Sequence, residues 1–597
     1  MEVKYKTIIT ANEAQLAQDR KLFDRLGHGK VFSVLVLITA TVFLFASGFA
    51  WQFILLIAIV FAQTAVLWVR HHKLDNKIRY TRGIIAICQR HIARITGEWS
   101  QFDDIGKEFI DLAHPYACDL DMVGAKSFFQ YLNTTHTWHG RQAFAGDLLH
   151  PNYSLAEIKG RQAAIKELSG KIAFSNDIQY HLSQIGAKPP GGDLTAELSD
   201  SAPLKLRLAS RPPFARWARF LGSAMPMAAV LLLASGAIFQ VAPVFVAGAA
   251  FAALQAAIIY WERTAIYKYL GLMNRLPYKL AQYVTVIDLL TAQAFASPKL
   301  DAIKCRLTEA SQAVKALEAI GNKLSIRANP FIFIALNVLL MWDLHCAFLL
   351  ERWKAKYAHG AGEWFAAIGE FESLLAFSHL PNVCAGVCLP SLEETGKKLD
   401  AKGLGHPLLS NNSRVCNDVD FNNQIFIISG SNMSGKTTFM RTVGINLVLS
   451  RAGSFVCATA MACAPFDVVT SMRVADDLNA GVSTFYAELK RVKLILDMAA
   501  ENPRLMFLID EIFKGTNSVD RLAGADAVVG KLEKLGAAGM VSTHDLELCR
   551  LADLHARIVN YNFSERYANG KILFDYVLGK GQSRTTNARF LMEMVGI

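Results

Sequence analysis

The sequence predicts a two-part chain: a long helical region carrying two membrane-spanning helical hairpins, then an α/β nucleotide-binding domain with a parallel sheet and flanking helices. Three observations predict it. Residues 31–69 and residues 222–261 each run without an Asp, Glu, Lys, Arg or His. From residue 425 short β-rich runs alternate with helical ones, as in a parallel sheet with crossover helices. The run Gly430-Ser431-Asn432-Met433-Ser434-Gly435-Lys436-Thr437 follows the apolar strand Ile425-Phe426-Ile427-Ile428.

Residues 1–30 read as a polar, helical lead-in. A spanning helix needs roughly 20 apolar residues, so 31–69 and 222–261 each hold two spans. Gly48 to Gln52 and Gly236 to Pro243 supply the turns. The chain has 597 residues, is 52% hydrophobic and has a mean hydropathy of +0.25. That is too apolar for an ordinary soluble enzyme. The alternative, buried helices of a soluble core, has no room for two such uncharged stretches. A cleaved leader does not fit either, because 30 polar residues precede the first stretch.

Arg20, Lys21, Arg25 and Lys30 precede the first stretch, and Arg70, Lys73, Lys77, Arg79 and Arg82 follow it. Lys205, Arg207, Arg211, Arg216 and Arg219 precede the second, and Arg263 and Lys268 follow it. Basic flanks stay on the cytoplasmic side. Both termini and the α/β domain are therefore expected inside, in a multi-pass protein of the cytoplasmic (inner) membrane.

Residues 70–221 read as a helical segment. Ile158, Gln162, Ile165 and Leu168 share one helix face, and Ser154 with Glu157 forms a capping box. Pro189-Pro190-Gly191-Gly192 marks a loop. Residues 262–385 are helical again. Within them Phe331 to Leu350 carries Asn337, Asp343 and His345, and is expected as one long amphipathic helix in the soluble part. Residues 386–597 form the α/β domain. The net charge of +11 suits anionic lipid or nucleic acid. The ten cysteines contain no Cys-x-x-Cys pair, and Cys384 and Cys388 lack partner histidines, so no metal cluster and no disulfide is expected.

A strand that ends in the 430–437 loop and opens a helix is a phosphate cradle. Backbone N–H groups and the helix dipole face the β-phosphate of ATP, Lys436 neutralises the β- and γ-phosphates, and the Thr437 hydroxyl coordinates Mg²⁺. The apolar strand Leu505 to Ile509 ends in Asp510 and Glu511. Asp510 is expected on the Mg²⁺ water shell, and Glu511 on the attacking water. Val541-Ser542-Thr543 ends in His544; a lone His at a strand end is most often just solvated, but behind these two motifs it is expected to sense the γ-phosphate, as a His at that point does in this class of ATPase. In Gly481-Val482-Ser483-Thr484-Phe485, Ser483 opens a helix, either as an ordinary N-cap or as a donor to a phosphate; in ATPases of this architecture such a loop completes the site of the opposite subunit. Asp520 lies where a loop would meet a second copy. The expected assembly is a homodimer with two ATP molecules at its interface.

Together these residues resemble the MutS family of ATPases. Its phosphate loop reads Gly-Pro-Asn-Met-Gly-Gly-Lys-Ser-Thr, matched here at Gly430, Asn432, Met433, Gly435, Lys436 and Thr438. Ser431, Ser434 and Thr437 stand for Pro, Gly and Ser. The family's Ser-Thr-Phe matches Ser483-Thr484-Phe485, its Asp-Glu-x-x-x-Gly-Thr matches Asp510-Glu511 and Gly515-Thr516, and its Thr-His matches Thr543-His544. Leu132 to Arg141 with Pro151, then Ile158, Arg161 and Gln162, look like the start of the family's core and lever. Glu370 to Leu375 resembles the lever's return to the ATPase, and Gly581 to Ile597 the final helix.

The resemblance implies ATP hydrolysis driving a helical lever, and DNA binding of the mismatch-repair type. Two departures qualify it. The place of the N-terminal mismatch-reading domain holds the polar lead-in and a membrane hairpin. Hairpin two sits where repair proteins insert their DNA clamp, and the helix-turn-helix extension of some relatives is not found. The alternatives are an ABC-type transporter half and a nucleotide-dependent membrane scaffold without DNA binding. A Leu-Ser-Gly-Gly-Gln-type signature is lacking between Thr438 and Asp510.

Overall fold

A computed structural model describes residues 1–46, 48, 51–185, 214–271, 276–357, 360–394, 396–473, 484–513, 518–568 and 571–583. The chain divides into two compact units. One holds residues 1–134, 144–180 and 374–597, and the other 135–143 and 181–373.

The first unit begins with α1 (Glu2–Ala46) and α2 (Trp51–Thr96), packed antiparallel. At 1.5 Å per residue each is about 68 Å long. The expected lead-in is not a separate element, because α1 runs unbroken from polar to apolar sequence. Facing pairs climb the rod in order. Tyr5 stacks on His91, Lys77 reaches Asp19 at 3.0 Å, Phe23 meets His71, Lys30 lies 4.6 Å from the Trp68 ring, and Phe43 stacks on Phe53. Large apolar side chains of 31–69 point outward, Phe32 being 69% and Phe45 66% exposed. After α3 (Phe128–Leu132) and α4 (Trp138–Leu149) come α5 (Leu155–Gly170) and α6 (Ile172–Ser183). The Ser154–Glu157 capping box opens α5. Arg161 on α5 is buried. It donates to Ala452 O at 2.7 Å and to Asp147 at 2.5 Å, and lies over the Tyr153 ring.

The second unit is helical: α7 (Phe214–Ile238), α8 (Ala242–Gly271), α9 (Leu276–Ala292), α10 (Pro298–Leu324), α11 (Pro330–Leu340), α12 (Trp342–Tyr357) and α13 (Ala361–Ser378), whose last turns belong to the first unit. α7 and α8 cross tightly at Gly248, where a Cβ would lie 2.7 Å from the Leu233 nitrogen. Phe331–Leu350 is not the one amphipathic helix expected. Met341 takes a left-handed conformation and breaks it into α11 and α12. Two segments far apart in sequence meet here. The buried Glu372 carboxylate accepts from His136 N at 2.6 Å, Thr137 N at 3.2 Å and the Thr137 hydroxyl. Burial outweighs those donors and raises its pKa to about 7.

Among the described residues, three helices are long and apolar enough to cross a membrane: α1, α2 and the Ala242–Thr264 part of α8. The apolar part of α7, Ala224–Ile238, is shorter.

The remainder of the first unit is α/β. A short α14 (Leu380–Val383) leads to β1 (Ser391–Leu392), β2 (Lys398–Leu404) and β3 (Asn417–Asn422). Then follow β4 (Ile425–Ser429), α15 (Lys436–Arg451), β5 (Ala460–Cys463) and β6 (Asp467–Ser471). The domain continues through α16 (Thr484–Glu501), β7 (Leu505–Asp510), α17 (Ser518–Lys534) and β8 (Ala538–Thr543). It closes with α18 (Leu551–Leu554), β9 (Ile558–Ala568) and β10 (Lys571–Lys580). In place of the one parallel sheet expected there are two mixed sheets. The six-stranded one has the order β10-β9-β4-β8-β7-β6, parallel except for β10, and the four-stranded one the order β1-β5-β2-β3. The hairpin β9–β10 explains the antiparallel edge. β4 is buried at every residue because both its faces are covered.

Candidate functional site

The registers of β4, β8 and β7 decide what converges. Ser429 pairs with Thr543, and Asp510 with Ser542, so the three strands end level. The loop 430–435, the Asp510-Glu511 pair and His544 all leave from those ends, the usual ligand position in an open α/β sheet. Gly435 caps α15 with φ +109°, a conformation that glycine adopts without strain. Tyr576 packs against it, within 3.0 Å of where a Cβ would stand.

Lys436 is buried. Its ammonium donates to Gly430 O at 2.7 Å and Ser431 O at 3.0 Å, and stands 3.9 Å from Glu511 Oε1. The same Glu511 oxygen lies 3.5 Å from His544 Nδ1. Glu511 has φ +55°, a backbone state costly for a residue with a side chain. That turn out of β7 swings its carboxylate toward Lys436 and His544. Thr437 Oγ1 donates to Asp510 Oδ2 at 2.9 Å, and the Ser542 hydroxyl donates to the other Asp510 oxygen. Two hard oxygens thus stand together at the first turn of α15, a donor set suited to a cation that keeps most of its waters.

A cavity of about 710 Å³ opens over the loop. Ser431 to Thr438, Asp510 and Glu511 line it together with Leu404, His406, Leu409, Val415, Phe563 and Tyr576. His406 is buried and its pKa is lowered to about 4, first by burial and then by Arg441 and Arg414, so it is neutral near pH 7. The Ser434 hydroxyl is buried and has no hydrogen-bond partner among the described residues. It lies against Gly430, within 2.8 Å of where a Cβ of that glycine would stand. Asn432 and Met433 are exposed at the tip of the loop. Arg441, one turn beyond Thr438 on α15, pairs with Asp121 at 3.2 Å.

The structure thus brings together Gly430 to Thr438, Asp510, Glu511 and His544. Asp520 lies apart, in the first turn of α17. Ser483, Gly515, Thr516 and residues 584–597 fall outside the described residues, and of Thr484 only the backbone, at the start of α16, is described. Sequence reasoning missed Glu565 on β9, which is buried and accepts from Ser431 Oγ at 2.7 Å. A lone acid in a strand gives no signal. Ser542 was legible only as part of its strand, because its role depends on the β7–β8 register.

Residues 426–595 match the family model described as MutS domain V. Three proteins named DNA mismatch repair protein MutS are similar to the chain. That of Shouchella clausii is 32% identical over 240 residues, 39% of this chain and 27% of the relative. That of Lactobacillus helveticus is 33% identical over 218 residues, 35% and 25% respectively. That of Bacillus thuringiensis is 38% identical over 162 residues, 27% and 18%. The chain therefore spans about a quarter of the length of these curated relatives.

Proposed function

We propose that this chain, which belongs to the MutS family through its domain V, is a membrane-anchored ATPase. The observation that carries the reading is the convergence of Lys436, Thr437, Asp510 and Glu511 on one cavity, with His544 Nδ1 3.5 Å from Glu511. The loop amides, the N-terminus of α15 and the Ser434 hydroxyl cradle the phosphates of ATP. Lys436 neutralises the β- and γ-phosphates. The apolar wall of Leu404, Leu409, Val415 and Phe563 receives the base. Thr437 and Asp510 would hold Mg²⁺, which would supply neutralisation of phosphate charge when bound. Glu511 orients and polarises the attacking water, and His544 beside it registers the γ-phosphate. Two copies close on two nucleotides, with Ser483, Thr484 and Asp520 at their interface. The helical unit moves as their lever.

The anchor is the pair of apolar hairpins. Their outward Phe, Leu and Ile side chains, which water would not tolerate in such number, support lipid contact. The relatives are named for DNA mismatch repair. The same role here is a DNA-related use of the ATP cycle from the membrane surface.

Nucleotide retention and turnover by the full chain in detergent test the proposal. Glu511→Gln should keep ATP while turnover falls about 10²–10⁴-fold, and Lys436→Ala should lose retention. Wild-type protein that retains no ATP overturns the ATPase reading. A salt titration with homoduplex, mispaired and branched DNA tests the DNA role, and no binding to any of them removes it.

A further inference from the structure

Helix α11 has no polar face. Its eleven residues Pro330-Phe-Ile-Phe-Ile-Ala-Leu-Asn-Val-Leu-Leu340 hold one polar side chain, Asn337, which is buried and accepts from Asp343 N at 2.9 Å. Its outer face is Phe331, 86% exposed, with Ile332 at 50% and Ile334 at 59%. An amphipathic helix on a soluble surface would turn its polar side outward here.

The N-terminus of α11 is sealed as if against the loss of water. The first N–H groups of a helix have no partner within it and are commonly hydrated. Here Pro330 has none to satisfy. Asn329 Oδ1 accepts from Phe331 N at 3.2 Å and Ile332 N at 3.3 Å, and Asn329 O takes Phe333 N at 2.9 Å. The charges at the root are paired. Arg327 Nε donates to Asp343 Oδ1 at 3.0 Å and its Nη2 lies 2.8 Å from Asp343 Oδ2, in ion-pair range but without hydrogen-bond geometry, and the guanidinium is 5.0 Å from the Tyr267 ring of α8. Hydrocarbon imposes this accounting on every polar group, and water does not.

Position names the occupant. α11 packs on α8 and α7, and so extends the exposed apolar surface of Phe245, Val246 and Leu254. At 1.5 Å per residue it is about 16 Å long, half of the roughly 30 Å hydrocarbon layer.

We propose that α11 is a membrane-embedded wedge, lying among lipid acyl chains beside hairpin two without crossing the bilayer. The proposal rests on the reading that hairpin two is in the membrane. It gives the helical unit a third lipid contact, tied through α10 to α13, where Lys299 and Arg306 both pair with Glu370.

Full-length protein in phosphatidylcholine–phosphatidylglycerol vesicles carrying a diazirine on the acyl chain tests it, with adducts located by peptide mass spectrometry. Adducts are expected both in 330–340 and in 244–254 of α8. Adducts in α8 alone overturn the wedge and leave hairpin two in place. Adducts in neither overturn both readings, and adducts in α11 alone overturn its placement beside the hairpin. Hydroxyl-radical footprinting of the same vesicles needs no variant. Phe331 and Ile334 should be protected, and oxidation at the rate of the exposed Leu112 would overturn the proposal.

Discussion

β4 and the upper half of α1 are equally apolar and are placed in opposite ways. Ile425 to Ile428 are wholly buried between helices, whereas Phe32, Leu35, Phe43 and Phe45 each leave more than half their surface outside. Apolar content therefore does not say where a residue goes. The number of neighbouring layers does. A central strand has two covered faces, and a two-helix rod can bury only one stripe per helix. What remains outside the rod is the surface that the proposed function assigns to lipid.

The sharpest way to break this contrast is at charge. Arg161 is buried with Asp147, so Arg161→Ala should cost about 3–5 kcal/mol, because it strands a carboxylate. Denaturant unfolding followed by the α/β domain reads that cost, and a loss under 1 kcal/mol would mean the site is wetter than its burial. Next come the apolar pairs. Ile427→Ala should cost about 2–5 kcal/mol, but Phe32→Ala in detergent within about 0.5. Equal costs would erase the distinction between core and rod surface.

A pH scan sharpens the picture for the helical unit. Glu372 has a folded pKa of about 7 against an ordinary 4.5. The folded state holds its proton longer, so stability is full below about pH 4.5 and is lost as pH rises to about 7, by at most about 3 kcal/mol. Glu372→Gln should flatten the melting temperature across that window, and an unchanged slope would assign it to other groups. The smallest effect belongs to the rod's own ion pair. Lys77 is half exposed, so Lys77→Ala should cost at most about 1 kcal/mol. A cost equal to that of Arg161→Ala would show that the two environments do not differ.

Much of the site was legible because its chemistry is local in sequence. The loop 430–437, the strand-end carboxylates Asp510 and Glu511, and Thr543-His544 each sit at a strand terminus, where an apolar run gives way to polar residues. Register then brought them level, which no single segment announces. Glu565 and Ser542 act only across strands and left no local mark. The helical part was read by period and charge alone. Its hairpin turns fell near the observed breaks, but α11 was misread because Asn337, Asp343 and His345 were counted as one polar stripe. The left-handed Met341 puts Asp343 and His345 on a different helix, and Asn337 points inward.

The unbroken course of α1 and α2 past residues 30 and 70 has a mechanical consequence. Hydrogen-bonded helices without a proline, a bulge or a missing turn at a boundary bend as a single stiff beam. In the proposed membrane-anchored state its apolar end would sit in lipid and the beam would pivot at the headgroup plane. A tilt imposed by bilayer thickness would then sweep the far end, near Tyr5 and His91, through an arc of several ångströms.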